Sequence, residues 1–122
     1  MSRPTIHLID DDDAVRDAVG LLLRTRGFGV QGYGSAEDFL AAAPDAEDAC
    51  VVTDFQMPRM TGIELLGRMR EEGLDLPVIV MTGRAERNMA DEALRRGAVA
   101  FLDKPFEPEA MLDLVRRVLD AA

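Results

Sequence analysis

Apolar positions along the chain recur in two alternating patterns. Helical spacing is clearest over residues 15–23 and 111–119 and weaker between Met89 and Leu94. Short β-rich runs lie between the helical stretches and predict five strands: Thr5–Ile9, Gly29–Tyr33, Cys50–Thr53, Val78–Met81 and Val99–Leu102.

Helix boundaries carry residues that favour starting or stopping a helix. Ser35 is placed to cap the second helix, and Thr61 with Glu64 forms a capping-box pattern before the third. Pro108 suits the first turn of the last helix, whereas Gly27 suits the end of the first. These signals agree with the helical spacing.

The alternation of strands and helices predicts an α/β fold. Right-handed crossovers give a doubly wound, five-stranded parallel sheet with helices on both faces. The runs Val51–Thr53 and Val78–Met81 are continuously apolar, as expected of central strands buried on both sides. A length of 122 residues allows a single domain, residues 1–122. Ligands of such sheets bind outside the carboxyl ends of the strands.

Polar, reactive residues follow four of the predicted strands: Asp10 with Asp11, Asp54, Thr82 and Lys104. Lys104 is the single lysine among 14 basic residues. Its compact ammonium reaches one oxygen, whereas a guanidinium is a planar fork suited to paired contacts. We therefore predict one site that collects these side chains at the carboxyl edge of the sheet.

The chemistry of that site follows from its charges. Clustered carboxylates repel one another unless a hard cation neutralises them, and Mg²⁺ takes one or two carboxylates, several waters and a phosphoryl oxygen. Asp54 is then a candidate nucleophile, Thr82 a hydrogen-bond donor and Lys104 a neutralising cation. Asp12 and Asp13 are better explained as acids at a helix N-terminus.

Composition limits the partners. A net charge of −9 argues against direct nucleic-acid binding. No apolar stretch approaches the roughly 20 residues needed to span a membrane. The start of the chain lacks the apolar segment of a signal peptide. The single cysteine, Cys50, is expected to be a buried apolar residue, and we expect a cytoplasmic protein.

Four separated motifs resemble the receiver domains of two-component response regulators, in order and spacing over essentially the whole chain. Segments 35–40 and 89–93 are most similar to the FixJ subfamily. The motifs are Ile9-Asp10-Asp11-Asp12, Asp54-Phe55-Gln56-Met57-Pro58 with Thr61-Gly62, Met81-Thr82-Gly83, and Gly97-Ala98 with Phe101-Leu102-Asp103-Lys104-Pro105-Phe106.

The resemblance implies a flavodoxin-like fold and a phosphorylation-dependent switch. Asp54 would be the phosphoacceptor. Asp11, Asp54 and the backbone carbonyl of Gln56 would bind Mg²⁺ directly, and Asp10 through water. The remaining roles fall to three residues: Thr82 and Lys104 would hold the phosphoryl group, and Phe101 would turn inward with Thr82. The Lys104–Pro105 peptide would be cis.

The resemblance also implies partners. A sensor histidine kinase would supply the phosphoryl group, and the surface of the fourth helix, fifth strand and fifth helix would control a partner or an output domain, for example a DNA-binding one. The chain departs from the family at Ala100, often an Asp, and at residues 84–86. Because Ala100 removes an acid from a face rich in arginine, we expect a monomer that forms a weak dimer on phosphorylation.

Other interpretations remain open at this point. The rival function is a small Mg²⁺-dependent phosphatase or phosphotransferase acting on an external substrate, and a third is an interaction domain with a vestigial site. Residues 27–32 match a dinucleotide fingerprint, but they leave a helix and enter a strand. Residues 11–15 fit a haloacid-dehalogenase-like pattern, but the acids begin a helix. His7 is expected to be a packed or edge residue.

Overall fold

The computed structural model describes residues 4–42 and 48–121, apart from the side chains of residues 84–86. Five parallel strands form one sheet in the order β2-β1-β3-β4-β5. The strands are β1 (Thr5–Ile9), β2 (Gly29–Tyr33), β3 (Ala49–Asp54), β4 (Val78–Thr82) and β5 (Ala100–Asp103). The α-helices are α1 (Asp13–Thr25), α2 (Ala36–Ala41), α3 (Gly62–Glu71), α4 (Ala90–Arg95) and α5 (Pro108–Ala121). The predicted doubly wound parallel sheet is thus confirmed.

Two apolar clusters cover the two faces of the sheet. One joins α2, α3 and α4 to the sheet through side chains that include Phe39, Leu65 and Ala93. The other joins α1 and α5 to the opposite face, with Leu23 and Leu112 fully buried. Alternate residues of β3 enter each cluster, and Cys50 is buried in the second, as predicted. Burial on both faces explains why the central strands are continuously apolar.

The strands differ from the predicted ones mainly at their carboxyl ends. β3 and β4 extend to include Asp54 and Thr82, which the apolar pattern had placed just outside the strands. The prediction of β5 was wrong by one residue, because Val99 lies before the strand and Asp103 within it. Main-chain pairing explains the difference, since the parallel ladder continues through Thr82 and Asp103.

The helix starts are largely as predicted. Asp12 caps α1, its side chain accepting from two backbone N–H groups, and Asp13 lies in the first turn. The Ser35 side chain caps α2, and Thr61 with Glu64 forms a complete capping box at α3. α4 is the exception: a 3-10 helix at residues 84–89 precedes it, and only six residues are α-helical. Its weak apolar stripe provides little packing to extend it.

Two competing patterns are resolved by the fold. Gly27 follows α1 with a φ of +94°, and β2 begins at Gly29, so the glycine-rich segment is a helix stop rather than a phosphate loop. His7 is buried on an interior strand, with Nδ1 3.2 Å from the Tyr33 hydroxyl. Burial lowers the pKa of His7, as expected of a packed histidine. Within residues 4–42 and 48–121, no helix is both long and apolar enough to cross a bilayer.

Candidate functional site

Asp10 is fixed at the end of β1 through its backbone and its side chain. Its N–H donates to the Tyr33 carbonyl (3.1 Å), and its carbonyl accepts from Arg16 Nη1 (2.6 Å). Its Oδ1 accepts from the Asp12 N–H (2.9 Å). The residue is 1% exposed. Asp10 is therefore held rigidly, with little access to bulk water.

Asp54 is the last residue of β3, a strand buried at all six positions. The Phe55 N–H immediately beyond it donates to the Met81 carbonyl (2.9 Å), so pairing with β4 continues past Asp54. The residue itself is 9% exposed. Its carboxylate is thus presented from a well-anchored main chain at the carboxyl edge of the sheet.

Lys104 lies just beyond β5 and reaches both buried acids. Its Nζ donates to Asp54 Oδ1 at 3.0 Å and lies 3.9 Å from Asp10 Oδ2. Its backbone N–H donates to the Thr82 carbonyl (2.7 Å), and its bond to Pro105 is cis, as the family resemblance implied. The single lysine is thus at the centre of the predicted site.

Three carboxylates meet beside Lys104. Oxygens of Asp10, Asp11 and Asp54 all lie within 4.8 Å of one another. Burial raises the pKa of Asp10 and of Asp54, although the Lys104 ammonium opposes the rise at both. Asp10 Oδ2 is buried and has no hydrogen-bond partner among the described residues.

The donor set fits a hard divalent cation. Mg²⁺ is bound by oxygens, usually one or two carboxylates with several waters. The exposed side chain of Asp11 leaves room for water, and the orphaned oxygen of Asp10 offers a further acceptor. Burial is the main cause of the raised pKa of Asp10 and Asp54, and repulsion from neighbouring carboxylates adds to it. A cation at this position would offset that repulsion.

The other predicted site residues lie nearby but make different contacts. The Thr82 side chain is buried at the end of β4, and its hydroxyl donates to Asp103 Oδ1 at 3.2 Å. Phe101 on β5 is 37% exposed and therefore faces outward. Gln56 follows β3 in an exposed loop position. The fold thus gathers the three acids with Lys104 and directs the Thr82 hydroxyl elsewhere.

Sequence reasoning missed three residues around the site: Arg16, Arg87 and Asp103. Arg16 bonds the Asp10 carbonyl and pairs with Asp13 at 2.6 Å. Asp103 accepts from Thr82 and pairs with Arg87 at 3.1 Å. The position of Asp103 next to Lys104 was a usable signal, because both residues come directly after the apolar run Val99–Leu102. Arg16 and Arg87 gave none, since long side chains on helices reach in many directions.

The arrangement provides the parts needed for reaction at a carboxylate. Asp54 offers a nucleophilic oxygen at an accessible edge, and Lys104 places a positive charge 3.0 Å from it. Preorganised charge of this kind stabilises negative charge that develops during transfer of an anionic group. Carboxylates form covalent acyl-phosphates in other proteins.

Comparison with known proteins agrees with this geometry. The family model described as "Response regulator receiver domain" matches residues 6–116. The transcriptional regulatory protein FixJ of Rhizobium meliloti is 41% identical over 96% of this chain, and that of Bradyrhizobium diazoefficiens is 42% identical over the same share. The chain spans 57% of the length of each of these relatives.

Solved structures show the same similarity. The crystal structure of FixJ-N superposes with a TM-score of 0.91 at 39% identity, over 100% of this chain and 98% of that one. Full-length FixJ from B. japonicum superposes with a TM-score of 0.91 at 40% identity, over 98% of this chain and 59% of that one. The likeness therefore covers the whole described fold.

Proposed function

Because this chain belongs to the response regulator receiver domain family, we propose that Asp54 accepts a phosphoryl group from a phosphohistidine of a sensor histidine kinase. The observation that carries the proposal is the contact between Lys104 Nζ and Asp54 Oδ1 at 3.0 Å, beside the orphaned oxygen of Asp10. Acids whose pKa is raised by burial, next to a charged partner, recur at reactive sites, and this supports the proposal.

The transfer is a displacement at phosphorus. One Asp54 oxygen forms a bond to the phosphorus atom, the phosphorus–nitrogen bond to the kinase imidazole breaks, and the imidazole leaves with the electron pair. Lys104 neutralises a phosphoryl oxygen, and the Thr82 hydroxyl donates to another. Asp54 must be ionised to attack. Because burial raises its pKa, the reaction should slow at acidic pH, where Asp54 becomes protonated.

Mg²⁺ fits the acidic group described above. Asp11, Asp54 and the backbone carbonyl of Gln56 would bind the ion directly, and Asp10 would act through a water. The bound ion supplies positive charge for the phosphoryl oxygens. The chain itself contributes the carboxylates and keeps two of them, Asp10 and Asp54, nearly free of solvent.

The consequence of phosphorylation is a change at the surface of α4, β5 and α5. Phe101 lies outward on β5, and Thr82 lies on the neighbouring strand, so inward rotation of Phe101 with Thr82 would alter that surface. Relatives described as transcriptional regulators are longer than this chain. We therefore propose that the surface controls a partner or a DNA-binding output domain.

The same surface governs association. Arg95 at the end of α4 and Arg96 immediately after it both pair with Glu92, and Arg116 on α5 lies 3.9 Å from Asp113. These intrahelical pairs partly neutralise the basic face, and Ala100 supplies no further acid. We propose a monomer that becomes a weak, salt-sensitive dimer when phosphorylated.

Incubation with acetyl phosphate and Mg²⁺ tests the phosphoryl acceptor. Intact-mass spectrometry should show one added phosphoryl group on the wild type and none on Asp54→Asn. Asp12→Asn is the matched control, because Asp12 caps α1 and Asn retains the cap. Full labelling of Asp54→Asn would identify another acceptor. Continuous release of phosphate from an external monoester would favour the phosphatase interpretation instead.

A further inference from the structure

One carboxylate near the site, that of Asp103, has no proposed role in metal or phosphoryl binding but has two side-chain partners, Thr82 and Arg87. Asp103 Oδ1 accepts a hydrogen bond from the Thr82 hydroxyl at 3.2 Å, and Asp103 Oδ2 lies 3.1 Å from Arg87 Nη2. Asp103 therefore connects the end of β4 to the 3-10 helix that leads into α4. We call Thr82, Asp103 and Arg87 the latch.

The main chain sets the first of these contacts. Thr82 and Asp103 are partners in the register of β4 and β5, and the next N–H, that of Lys104, donates to the Thr82 carbonyl at 2.7 Å. Thr82 is fully buried, whereas the Asp103 side chain is 41% exposed. A buried hydroxyl requires an acceptor, and Asp103 is the acceptor that the strands supply.

A threonine hydroxyl has one hydrogen to donate. In the present arrangement the acceptor of that hydrogen is an anion, and the phosphoryl oxygen assigned to Thr82 above is also an anion. The two acceptors must therefore compete for the same donor, and charge strengthens the hydrogen bond in both states.

We propose that Asp103 is a positioning residue that holds the Thr82 hydroxyl away from the phosphoryl site, with Arg87 keeping Asp103 in place. Phosphorylation must then take the hydroxyl from Asp103, which leaves Asp103 with Arg87 as its one remaining side-chain partner among the described residues. The proposal rests on the proposed phosphorylation of Asp54. On this proposal, the side chains of Asp103 and Arg87, which do not contact the phosphoryl group, shift the equilibrium between the resting and switched states.

Asp103 and Arg87 should contribute unequally to the stability of the resting state. Asp103 bonds a fully buried hydroxyl, whereas Arg87 is 66% exposed and is held by one surface ion pair. Exposed ion pairs are screened by water and stabilise little. Loss of Asp103 should therefore favour the switched state more strongly than loss of Arg87.

Beryllofluoride, a phosphoryl mimic, measures this balance. We expect Asp103→Ala to increase beryllofluoride affinity by about three- to tenfold, the usual effect of one hydrogen bond. Arg87→Ala should give about a twofold increase, and Arg87→Lys should restore wild-type affinity. Arg26→Ala is the matched control, since Arg26, the residue after α1, also forms an ion pair on the surface, with Glu109 of α5.

Removal of a negative charge near an anion site would also raise affinity without any latch. The Thr82→Ala background separates the two effects, because the charge effect survives there and the latch effect does not. We expect Asp103→Ala to act at least threefold less in that background. Equal effects of Asp103→Ala with and without the Thr82 hydroxyl would overturn the proposal.

The rotamer of Thr82 gives a readout that does not depend on phosphorylation. Three-bond couplings to Thr82 Cγ2 should indicate one χ1 rotamer in the unmodified wild type and rotamer averaging in Asp103→Ala. An unchanged rotamer in Asp103→Ala would refute the latch even if Asp54 is phosphorylated. Failure of the wild type to bind beryllofluoride, with averaging in Asp103→Ala, would instead refute the proposed function and leave the resting contact established.

Discussion

β3 and β5 belong to the same sheet and both deliver a charged residue to the site, yet they are built differently. β3 pairs with β1 and β4 and is buried at all six positions. β5 pairs only with β4 among the described strands, has four residues and exposes Phe101 by 37%. The acids that must stay fixed lie at the carboxyl ends of interior strands, whereas the residues that respond lie on or beside the edge strand.

This difference has a physical basis. Interior strands are constrained by neighbours on two sides and by packing on two faces, so a side chain at their end has few accessible positions. An edge strand with a short, weakly packed helix beside it opens at lower free energy. The α4 region, with its preceding 3-10 helix, is the neighbour of β5. The fold thus places the acidic side chains of the site on its constrained interior strands, and the responding surface at its less constrained edge.

The largest effect should come from matched valine truncations in the two regions. Val52 on β3 is fully buried, and Val99 before β5 is 51% exposed. Val52→Ala should lower the free energy of unfolding by about 2 to 3 kcal/mol, from lost burial and a residual cavity. Val99→Ala should change it by less than about 0.5 kcal/mol. Urea denaturation measures both, and similar losses would end the distinction between the regions.

Lys104→Arg tests whether the residue that follows β5 must be a compact point charge. Arginine keeps the positive charge but brings a planar head to a place where one ammonium contacts Asp54. The variant should fold normally and lose at least about 90% of its beryllofluoride-induced change in the NMR spectrum of α4 and β5. Arg26→Lys is the control. A wild-type response from Lys104→Arg would show that any cation suffices.

Mg²⁺ affinity should distinguish Asp11 from Asp12, the neighbouring acids that follow the interior strand β1. Asp11 lies within 4.8 Å of the other two carboxylates, whereas the Asp12 side chain accepts from the backbone of α1. Asp11→Ala should weaken Mg²⁺ binding about tenfold or more, and Asp12→Asn by less than about twofold. Isothermal titration calorimetry measures both. Comparable losses would mean that the metal-binding acids are assigned one residue out of register.

Asp10→Asn should stabilise the resting protein. The buried Asp10 carboxylate has its pKa raised, so the folded state binds its proton more tightly than the unfolded state. The contribution of Asp10 to the free energy of unfolding is therefore fully present below its pKa in the unfolded state. It is lost as the pH rises through its pKa in the folded state. Removing the charge should add about 1 kcal/mol at neutral pH without Mg²⁺. Equal thermal denaturation temperatures of the wild type and Asp10→Asn at neutral pH would show that the buried charge of Asp10 does not destabilise the fold.

The smallest effect concerns association through the α4, β5 and α5 face. Exposed charge pairs stabilise by about 0 to 1 kcal/mol each and are screened by salt. Ala100→Asp should therefore strengthen the beryllofluoride-bound dimer by no more than about fivefold, and high salt should remove the gain. Sedimentation at low and high salt measures this. A tight dimer without beryllofluoride would contradict the proposed monomer.

The sequence predicted the sheet and the position of the site well, because both follow from apolar spacing. Asp10, Asp11, Asp54 and Lys104 meet as expected, since parallel strands bring their carboxyl ends to one edge. The contact of Thr82 with Asp103 could not be predicted in the same way. It depends on strand register and on the direction of one hydroxyl, neither of which appears in a hydrophobic pattern.

The 3-10 helix before α4 was missed for a related reason. A six-residue helix has little propensity of its own, and its limits depend on packing against β4 and β5. Leu94, which looked like part of an apolar stripe, is 39% exposed. Where burial is weak, the apolar pattern no longer determines the structure, and the sequence is least informative for the same elements that we expect to move.

Lys104 gives the molecule an unusual analytical property. It is the one lysine among 14 basic residues, and its side chain is 31% exposed. Reductive methylation with isotopically labelled formaldehyde would therefore introduce one side-chain signal, in addition to the α-amino group, and leave every arginine unmodified. The methylated amine keeps its charge and lies directly beside Asp54. Its resonance would report the environment of Asp54 in the resting protein, without any amino-acid substitution.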